Sequence, residues 1–138
     1  MEKSPELIKQ QYSPQLLAYL GDAYYETLAR EYMIADGNCR ISDINVGIKN
    51  IITAVSQSRI AFILQPYFTE EEEWFFKAGR NMHNTHRTKS AAALEYRRAS
   101  GLECVFGYLR LSGREDRARE LFEKAVTESA DGGGEKND

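Results

Sequence analysis

The sequence predicts an all-α protein, a compact helical bundle, and three observations support this fold class. Apolar residues recur at helical spacing along most of the chain, capping residues precede these runs, and no segment alternates convincingly as a half-buried strand does. At 138 residues, with 42% hydrophobic and 28% charged side chains, the chain has the size and composition of one globular domain. We therefore expect a single folded domain at residues 13–129, an N-terminal extension at residues 1–12 and a flexible tail at residues 130–138.

Two long helices carry the clearest patterns. Ser13 followed by Pro14 is typical of an N-cap and a first helical residue, and apolar side chains then recur at helical spacing to about residue 33. Ser90 is the predicted cap of a second long helix over residues 91–111, which Ser112 and Gly113 close.

Three further helices complete the predicted bundle. Isoleucine-rich spacing over residues 44–63 predicts one long helix that Pro66 ends. Thr69 followed by four glutamates predicts a capped helix to about Gly79, because acids stabilise the positive end of the helix dipole. An amphipathic helix is predicted over residues 114–128, and the glycine-rich residues 131–138 are predicted to fray.

Several classes of protein are excluded by composition and spacing. No stretch approaches the roughly 20 apolar residues of a membrane span, and the first 13 residues lack the apolar run of a signal peptide, so we expect a cytoplasmic protein with no membrane partner. Cys39 and Cys104 are far apart and in no CxxC arrangement, which favours reduced thiols. The chain has no glycine-rich phosphate loop and no persuasive Ser-His-Asp constellation.

Basic residues are concentrated in one segment despite the net charge of −3. Residues 77–98, hereafter the basic segment, hold six Lys and Arg side chains against one acid, a local charge of +5 that leaves −8 on the rest of the chain. A nucleic-acid contact and a solvated basic loop explain this segregation equally well on composition alone. The candidate nucleic-acid contacts are Arg80, Asn81, His83, His86, Arg87 and Lys89, with Arg97 and Arg98 as a less certain extension.

Two acids occupy unexpected positions in the long helices. Asp22 and Glu103 are each the only ionised group in a stretch that is otherwise apolar or small on every face. Burying a lone carboxylate costs several kcal/mol unless a cation or hydrogen bonds compensate it. A cap, an arginine partner or solvent exposure would explain either acid alone, whereas a shared Mg²⁺ would explain both. We therefore expect the two carboxylates within about 6 Å of each other. Gly21 and Gly107 lie close to these acids in the sequence. The missing side chains could let another helix or a nucleic acid approach closely, and ordinary helix packing would explain them equally well.

The sequence around these acids resembles a known family. The run Leu17-Ala-Tyr-Leu-Gly-Asp-Ala-Tyr-Tyr-Glu26 is similar to the signature helix of ribonuclease III domains, in the form found in the Mini-ribonuclease III branch, which lacks a double-stranded-RNA-binding domain. Gly79-Arg-Asn81, Tyr96-Arg97, Ser100-Gly-Leu-Glu103 and Phe106-Gly-Tyr-Leu109 are similar to later motifs of that branch in the same order. The resemblance covers roughly residues 14–111.

The resemblance implies a ribonuclease III-type fold and a Mg²⁺-dependent endoribonuclease, with Mn²⁺ able to substitute. It implies a homodimer that cuts double-stranded RNA to leave 5′-phosphates, with precursor of large-subunit ribosomal RNA as the substrate. Asp22 and Glu103 would be the catalytic, metal-binding acids. Typical relatives carry further acids where this chain has Ala18 and Ser100, which favours one firmly held Mg²⁺, any second being recruited by the RNA phosphate. Glu26, one turn after Asp22, and Ser100 are candidates to support these ligands, although a surface or dimer contact explains Glu26 better.

Other interpretations remain open from the sequence. A nuclease-dead RNA-binding or ribosome-assembly factor would keep the fold and the basic segment, and a purely structural helical dimer would bind no RNA at moderate salt. The spacing of His83 and His86 could serve zinc, but no further Cys or His lies nearby to complete a four-ligand site. The aromatic run from Trp74 to Phe76 is more typical of a core or a dimer interface than of base stacking.

Overall fold

The computed structural model describes residues 2–82 and 90–136, and the side chains of residues 2–82 and 90–129. The described residues are mainly helical and contain no strand. The helices are α1 (Pro5–Gln11), α2 (Pro14–Met33), α3 (Ile41–Gly47), α4 (Lys49–Ile52), α5 (Ala54–Leu64), α6 (Glu70–Asn81), α7 (Ala91–Leu111) and α8 (Glu115–Lys136), with a 3-10 turn at Gln65–Tyr67 between α5 and α6. The predicted all-α class is confirmed.

Helix α7 is the central element of the bundle, and α2, α5 and α6 pack around it. Every residue from Ala99 to Leu109 except Glu103 is buried, which explains why this stretch is apolar on all faces. Phe75 of α6 stacks on Tyr108 of α7 with ring centroids 4.2 Å apart and planes at 12°. Across the part of the chain that the structure describes, no helix combines the length and apolar character needed to cross a membrane.

The predicted capping residues start the helices as expected. Ser13, Ser90 and Thr69 each accept a hydrogen bond from the backbone N–H three residues later, at the first turns of α2, α7 and α6. At α6 the capping box is complete, because the Glu72 carboxylate also accepts from the Thr69 N–H. The same buried carboxylate receives two hydrogen bonds of 2.9 Å from Arg117, which joins α8 to the start of α6.

The predicted single helix over residues 44–63 is wrong. The chain forms α3, α4 and α5 there, and Thr53 interrupts the run with an extended backbone while its hydroxyl caps α5 through the Ser56 N–H. A threonine that caps a new helix provides a local hydrogen bond that competes with continuing the previous one. The isoleucine spacing continues through the break, so periodicity alone concealed it.

Both chain ends are more helical than the sequence suggested. Residues 1–12 contain α1, whose Ile8 is fully buried in the hydrophobic core, and the Lys3 N–H donates to the Leu111 carbonyl; the segment therefore packs on the domain. Helix α8 continues to Lys136 rather than ending near residue 128. Each residue added to an established helix gains one backbone hydrogen bond, so a long packed helix can extend past the expected boundary.

Candidate active site

Glycines set the distance between α2 and α7. A Cβ atom on Gly21 would lie 1.6 Å from the Glu103 carbonyl oxygen, and one on Gly107 would lie 2.1 Å from the Leu17 carbonyl oxygen. Real Cβ atoms essentially never approach closer than 3.0 Å, so each glycine allows a backbone contact that any side chain would prevent. Close packing of α2 on α7 therefore explains both glycines.

The helix crossing brings Asp22 and Glu103 together, and we call these two residues the acid pair. Asp22 directly follows Gly21 and is exposed, whereas Glu103 is partly buried. Burial, the nearby negative charge of Asp22 and the close approach of the two carboxyl groups together raise the pKa of Glu103 from 4.5 to about 7, burial being the largest cause. Two acids separated by 81 positions in the sequence therefore share one place on the molecule.

A third helix contributes Gln57, which the sequence analysis did not single out. Gln57 lies on α5 and is 3% exposed, and its side-chain amide is close enough to the Glu103 carboxyl to lower the pKa of that group, opposing the effect of burial. An amide N–H donated to the ionised carboxylate has this effect. The available signal was three consecutive polar residues, Ser56 to Ser58, before the apolar end of α5; all three are buried.

The donor set at the acid pair fits a hard divalent cation. Among residues 2–82 and 90–129, neither acid forms an ion pair with Lys or Arg. Mg²⁺ prefers oxygen ligands and is usually held by one or two carboxylates, the remaining positions being water or substrate. No group of three or more His, Cys, Asp or Glu residues is placed to hold a metal within residues 2–82 and 90–136.

The surroundings of Asp22 differ from the expected core environment. Leu16, Tyr19 and Ala23 on the same helix are exposed together with Asp22, so the apolar outer face of α2 lies at the surface of the chain. Glu26 pairs with Arg30 at 2.6 Å and is thereby engaged on its own helix. Ser100 is 3% exposed on α7. Support of the metal ligands by these last two residues stays a prediction.

The predicted RNA contacts are partly within the described structure. Arg80 and Asn81 end α6, where the Arg80 Nε donates to the Asn81 Oδ1 at 3.3 Å. Arg97 and Arg98 lie on α7 and are partly buried, and Arg98 donates to the Ser58 hydroxyl at 3.1 Å, beside Gln57. The other four candidates lie outside the described residues: His83, His86, Arg87 and Lys89.

The aromatic run of α6 is mainly core. Phe75 and Phe76 are buried, whereas Trp74 is 46% exposed and lies under the Lys9 ammonium, which is 4.4 Å from its ring centroid. The Phe75 and Phe76 side chains are thus unable to stack on bases.

We expect the pH dependence of stability to reveal the acid pair in metal-free protein. Glu103 has a pKa of about 7 when folded against an ordinary 4.5, so the folded state binds its proton more tightly than the unfolded state does. The free energy of unfolding should therefore fall as pH rises from about 4.5 to about 7, and the loss should be complete above that range.

The contribution of Glu103 to this pH dependence is measured by comparing thermal unfolding at pH 5 and pH 8 in wild-type protein and in Glu103→Gln, which has no titratable group at position 103. Glu103→Gln should lose less stability over this interval than wild type. Glu123→Gln removes an exposed acid of α8 and is the matched control, with a wild-type slope. Equal slopes for all three proteins would contradict the perturbed carboxyl.

Comparison with known proteins identifies the family of this arrangement. The family model described as Ribonuclease III domain matches residues 15–114, a range that contains both members of the acid pair. Mini-ribonuclease 3 of Symbiobacterium thermophilum is 37% identical over 113 residues, which cover 82% of this chain and 87% of that protein. Mini-ribonuclease 3 of Staphylococcus aureus is 32% identical over 117 residues, covering 83% and 87% of the two chains.

A solved structure shares the architecture. The crystal structure of a protein from Fusobacterium nucleatum matches with a TM-score of 0.75 at 26% identity, covering 87% of this chain and 96% of the other. Because the match spans nearly the whole of that protein, the two chains have similar extents as well as similar folds.

Proposed function

Because the chain belongs to the ribonuclease III domain family and is an endoribonuclease of that type, we propose that it cuts double-stranded RNA with the help of Mg²⁺. The observation that carries the proposal is the acid pair. Its two carboxylates lie together at the crossing of α2 and α7, and Asp22 is exposed where a substrate can reach it.

The acid pair would hold Mg²⁺, for which Mn²⁺ can substitute. When bound, such a cation lowers the pKa of a coordinated water and neutralises charge on a phosphate. Asp22, on the exposed side, would face the RNA backbone, and Glu103, partly buried, would anchor the ion from within the bundle. Hydrolysis by an activated water requires no nucleophile from the protein, and we propose products with 5′-phosphates.

The basic segment would bind the RNA backbone. An A-form duplex presents a wide, shallow minor groove lined with 2′-hydroxyls, which a protein reads by shape and backbone contacts. Arg80, Asn81, Arg97 and Arg98 flank the portion of the segment that lies outside the described residues, so both its ends are anchored on α6 and α7. These two helices pack closely, so the described residues of the basic segment lie on α7, which carries Glu103, and on a helix packed against it.

We propose that two copies of the chain form a homodimer through the outer face of α2. Tyr19 is the most exposed of the large hydrophobic residues described, at 82%, and Leu16 on the same face is 54% exposed. A monomer gains nothing from leaving such residues in water. A twofold dimer would also present two acid pairs, one for each strand of a duplex.

Tyr19→Glu should convert the dimer to a monomer, since a charge in the centre of an apolar interface is left without water or a partner. Light scattering at micromolar concentration should then give the 15.7 kDa of one chain instead of twice that mass. Thr127→Glu places the same charge on an exposed residue of α8 and should remain dimeric. A wild-type protein that is already monomeric and fully active would refute the dimer.

The physiological substrate that the family resemblance implies is precursor of large-subunit ribosomal RNA, and we propose it here together with the cytoplasm as the site of action. The deciding experiment incubates the purified chain with a synthetic RNA duplex, with its single strands and with purified precursor, in Mg²⁺, Mn²⁺ or EDTA. We expect cleavage of duplex and precursor in both metals and none in EDTA. Duplex binding without cleavage in any metal would favour a nuclease-dead RNA-binding factor, and no binding at moderate salt would favour a structural helical dimer.

A further inference from the structure

Gln57 is a buried polar side chain whose position requires an explanation. It lies in the first half of α5 and is 3% exposed, and the residues Ile60, Ala61 and Leu64 of the same helix belong to the hydrophobic core. A buried amide is costly when its hydrogen bonds are not made. Its partner is therefore informative about why a glutamine occupies this position.

The residues on either side of Gln57 fix α5 by hydrogen bonds elsewhere. The Ser56 hydroxyl donates to the Lys49 carbonyl at 3.0 Å, and the Ser58 hydroxyl accepts from Arg98 of α7 at 3.1 Å. Helix α5 also packs directly on α7. The Gln57 backbone is consequently held at a defined place against the helix that carries Glu103.

The Gln57 side chain approaches Glu103 from α5, a different helix from the one that carries Asp22. Two polar side chains from other helices act on Glu103: Asp22 on α2, whose charge raises the pKa of Glu103, and Gln57 on α5, whose amide lowers it. Asp22 is exposed and carries like charge, so it cannot by itself hold an ionised Glu103 in place. A buried amide donor on a third helix can, because its N–H has no competing water.

We propose that Gln57 is a positioning residue of the acid pair: its amide donates the hydrogen bond that orients the Glu103 carboxylate toward a cation shared with Asp22. This inference rests on the proposed function. Groups that hydrogen-bond to metal-ligating side chains orient those ligands, and replacing them typically weakens metal affinity or activity by about 10- to 100-fold.

The test replaces Gln57 without changing its size. Gln57→Met has nearly the same volume but no N–H, so the fold should be retained while the hydrogen bond is lost. We expect Mn²⁺ binding to the RNA-free protein, measured by calorimetry or electron paramagnetic resonance, to weaken about tenfold. The Mg²⁺ concentration for half-maximal cleavage should rise by a similar factor, with a smaller change in the rate at saturating Mg²⁺.

Gln65→Met is the matched control. Gln65 donates its amide to the Glu73 carboxylate at 3.3 Å, so its replacement removes the same type of hydrogen bond away from the acid pair. It should leave Mn²⁺ binding unchanged. If Gln57→Met fails to fold, Gln57→Asn serves instead, because it keeps a polar amide but withdraws it from Glu103 by one methylene, and it should also weaken Mn²⁺ binding.

Asp22→Asn, measured in the same series, distinguishes failure of the Gln57 inference from failure of the proposed function. Normal Mn²⁺ binding by a folded Gln57 variant, with Asp22→Asn inactive, would overturn the role of Gln57 alone. Normal metal-dependent cleavage by Asp22→Asn would overturn the proposed function itself. Weakened binding that Gln65→Met reproduces would show a general effect of lost amides and would also overturn the inference.

Discussion

Asp22→Asn should reduce cleavage of duplex RNA by orders of magnitude while the protein stays folded and binds RNA. The asparagine keeps the size and shape of the side chain but removes the anionic oxygen that a hard cation requires. Asp22 is exposed, so the substitution disturbs no packing in the core. Loss of this proposed metal ligand with an intact fold is the largest effect on cleavage that we expect from a single substitution.

Affinity for the RNA should rise slightly in the same variant. Removing one negative charge beside a polyanion weakens local repulsion, whereas disruption of the fold would weaken binding. Thermal unfolding, duplex binding and cleavage rate measured together therefore distinguish a catalytic role from a structural one. Metal-free thermal stability should also increase slightly in Asp22→Asn, because the like charge next to Glu103 is removed.

Asp116→Asn is the matched control for Asp22→Asn. Asp116 is an exposed acid in the first turn of α8, 3.8 Å from Arg119 in a solvent-facing pair, and such pairs contribute little to stability. Its replacement should leave cleavage at the wild-type rate. Equal cleavage by wild type and Asp22→Asn in Mg²⁺ would refute the assignment of this acid to the reaction.

The acid pair was predictable from the sequence because charge is informative where its surroundings are apolar. Asp22 and Glu103 were the only ionised groups in two otherwise apolar stretches, and this difference can be recognised from the sequence without knowing the fold. The reason first given for Asp22 was nevertheless wrong. The apolar residues around it face outward, and a monomeric core and an exposed apolar face produce the same helical pattern.

Gln57 was not predictable by the same reasoning. A glutamine between two serines is typical of an exposed stretch, and its burial depends on how α5 is turned against α7. That orientation follows from the break at Thr53, which the continuous isoleucine spacing concealed. The error over the helix and the omission of Gln57 therefore have one physical cause, a local cap that outcompeted propagation of the preceding helix.

The glycines at the helix crossing could be located in the sequence but not interpreted. A glycine in a helix costs about 1 kcal/mol relative to alanine, so Gly21 and Gly107 indicated some compensating role. The three-dimensional arrangement shows that each faces a backbone carbonyl of the opposite helix. Spacing along one helix carries no information about which atoms of another helix it will meet.

Gly21→Ala should destabilise the protein substantially, even though alanine is the better helix former. The new Cβ would lie 1.6 Å from the Glu103 carbonyl oxygen and 2.8 Å from the Gly107 nitrogen. Both are backbone atoms of a packed helix, so α2 and α7 must move apart. Overpacking typically costs about 1–3 kcal/mol and occasionally more; contacts this short with backbone atoms favour the upper end, about 3 kcal/mol, against a helix-propensity gain of about 1 kcal/mol.

We expect a net loss of about 2 kcal/mol, or a fall in melting temperature of roughly 8 °C for a domain of this size, accompanied by reduced cleavage because Asp22 moves away from Glu103. Gly47→Ala is the control, since its Cβ would meet only the flexible Met33 Cε at 2.8 Å, and its melting temperature should stay close to wild type. If Gly21→Ala unfolds at the wild-type temperature, the close crossing does not constrain the bundle. Cleavage at the wild-type rate by Gly21→Ala would show that the separation of α2 and α7 does not control the geometry of the acid pair.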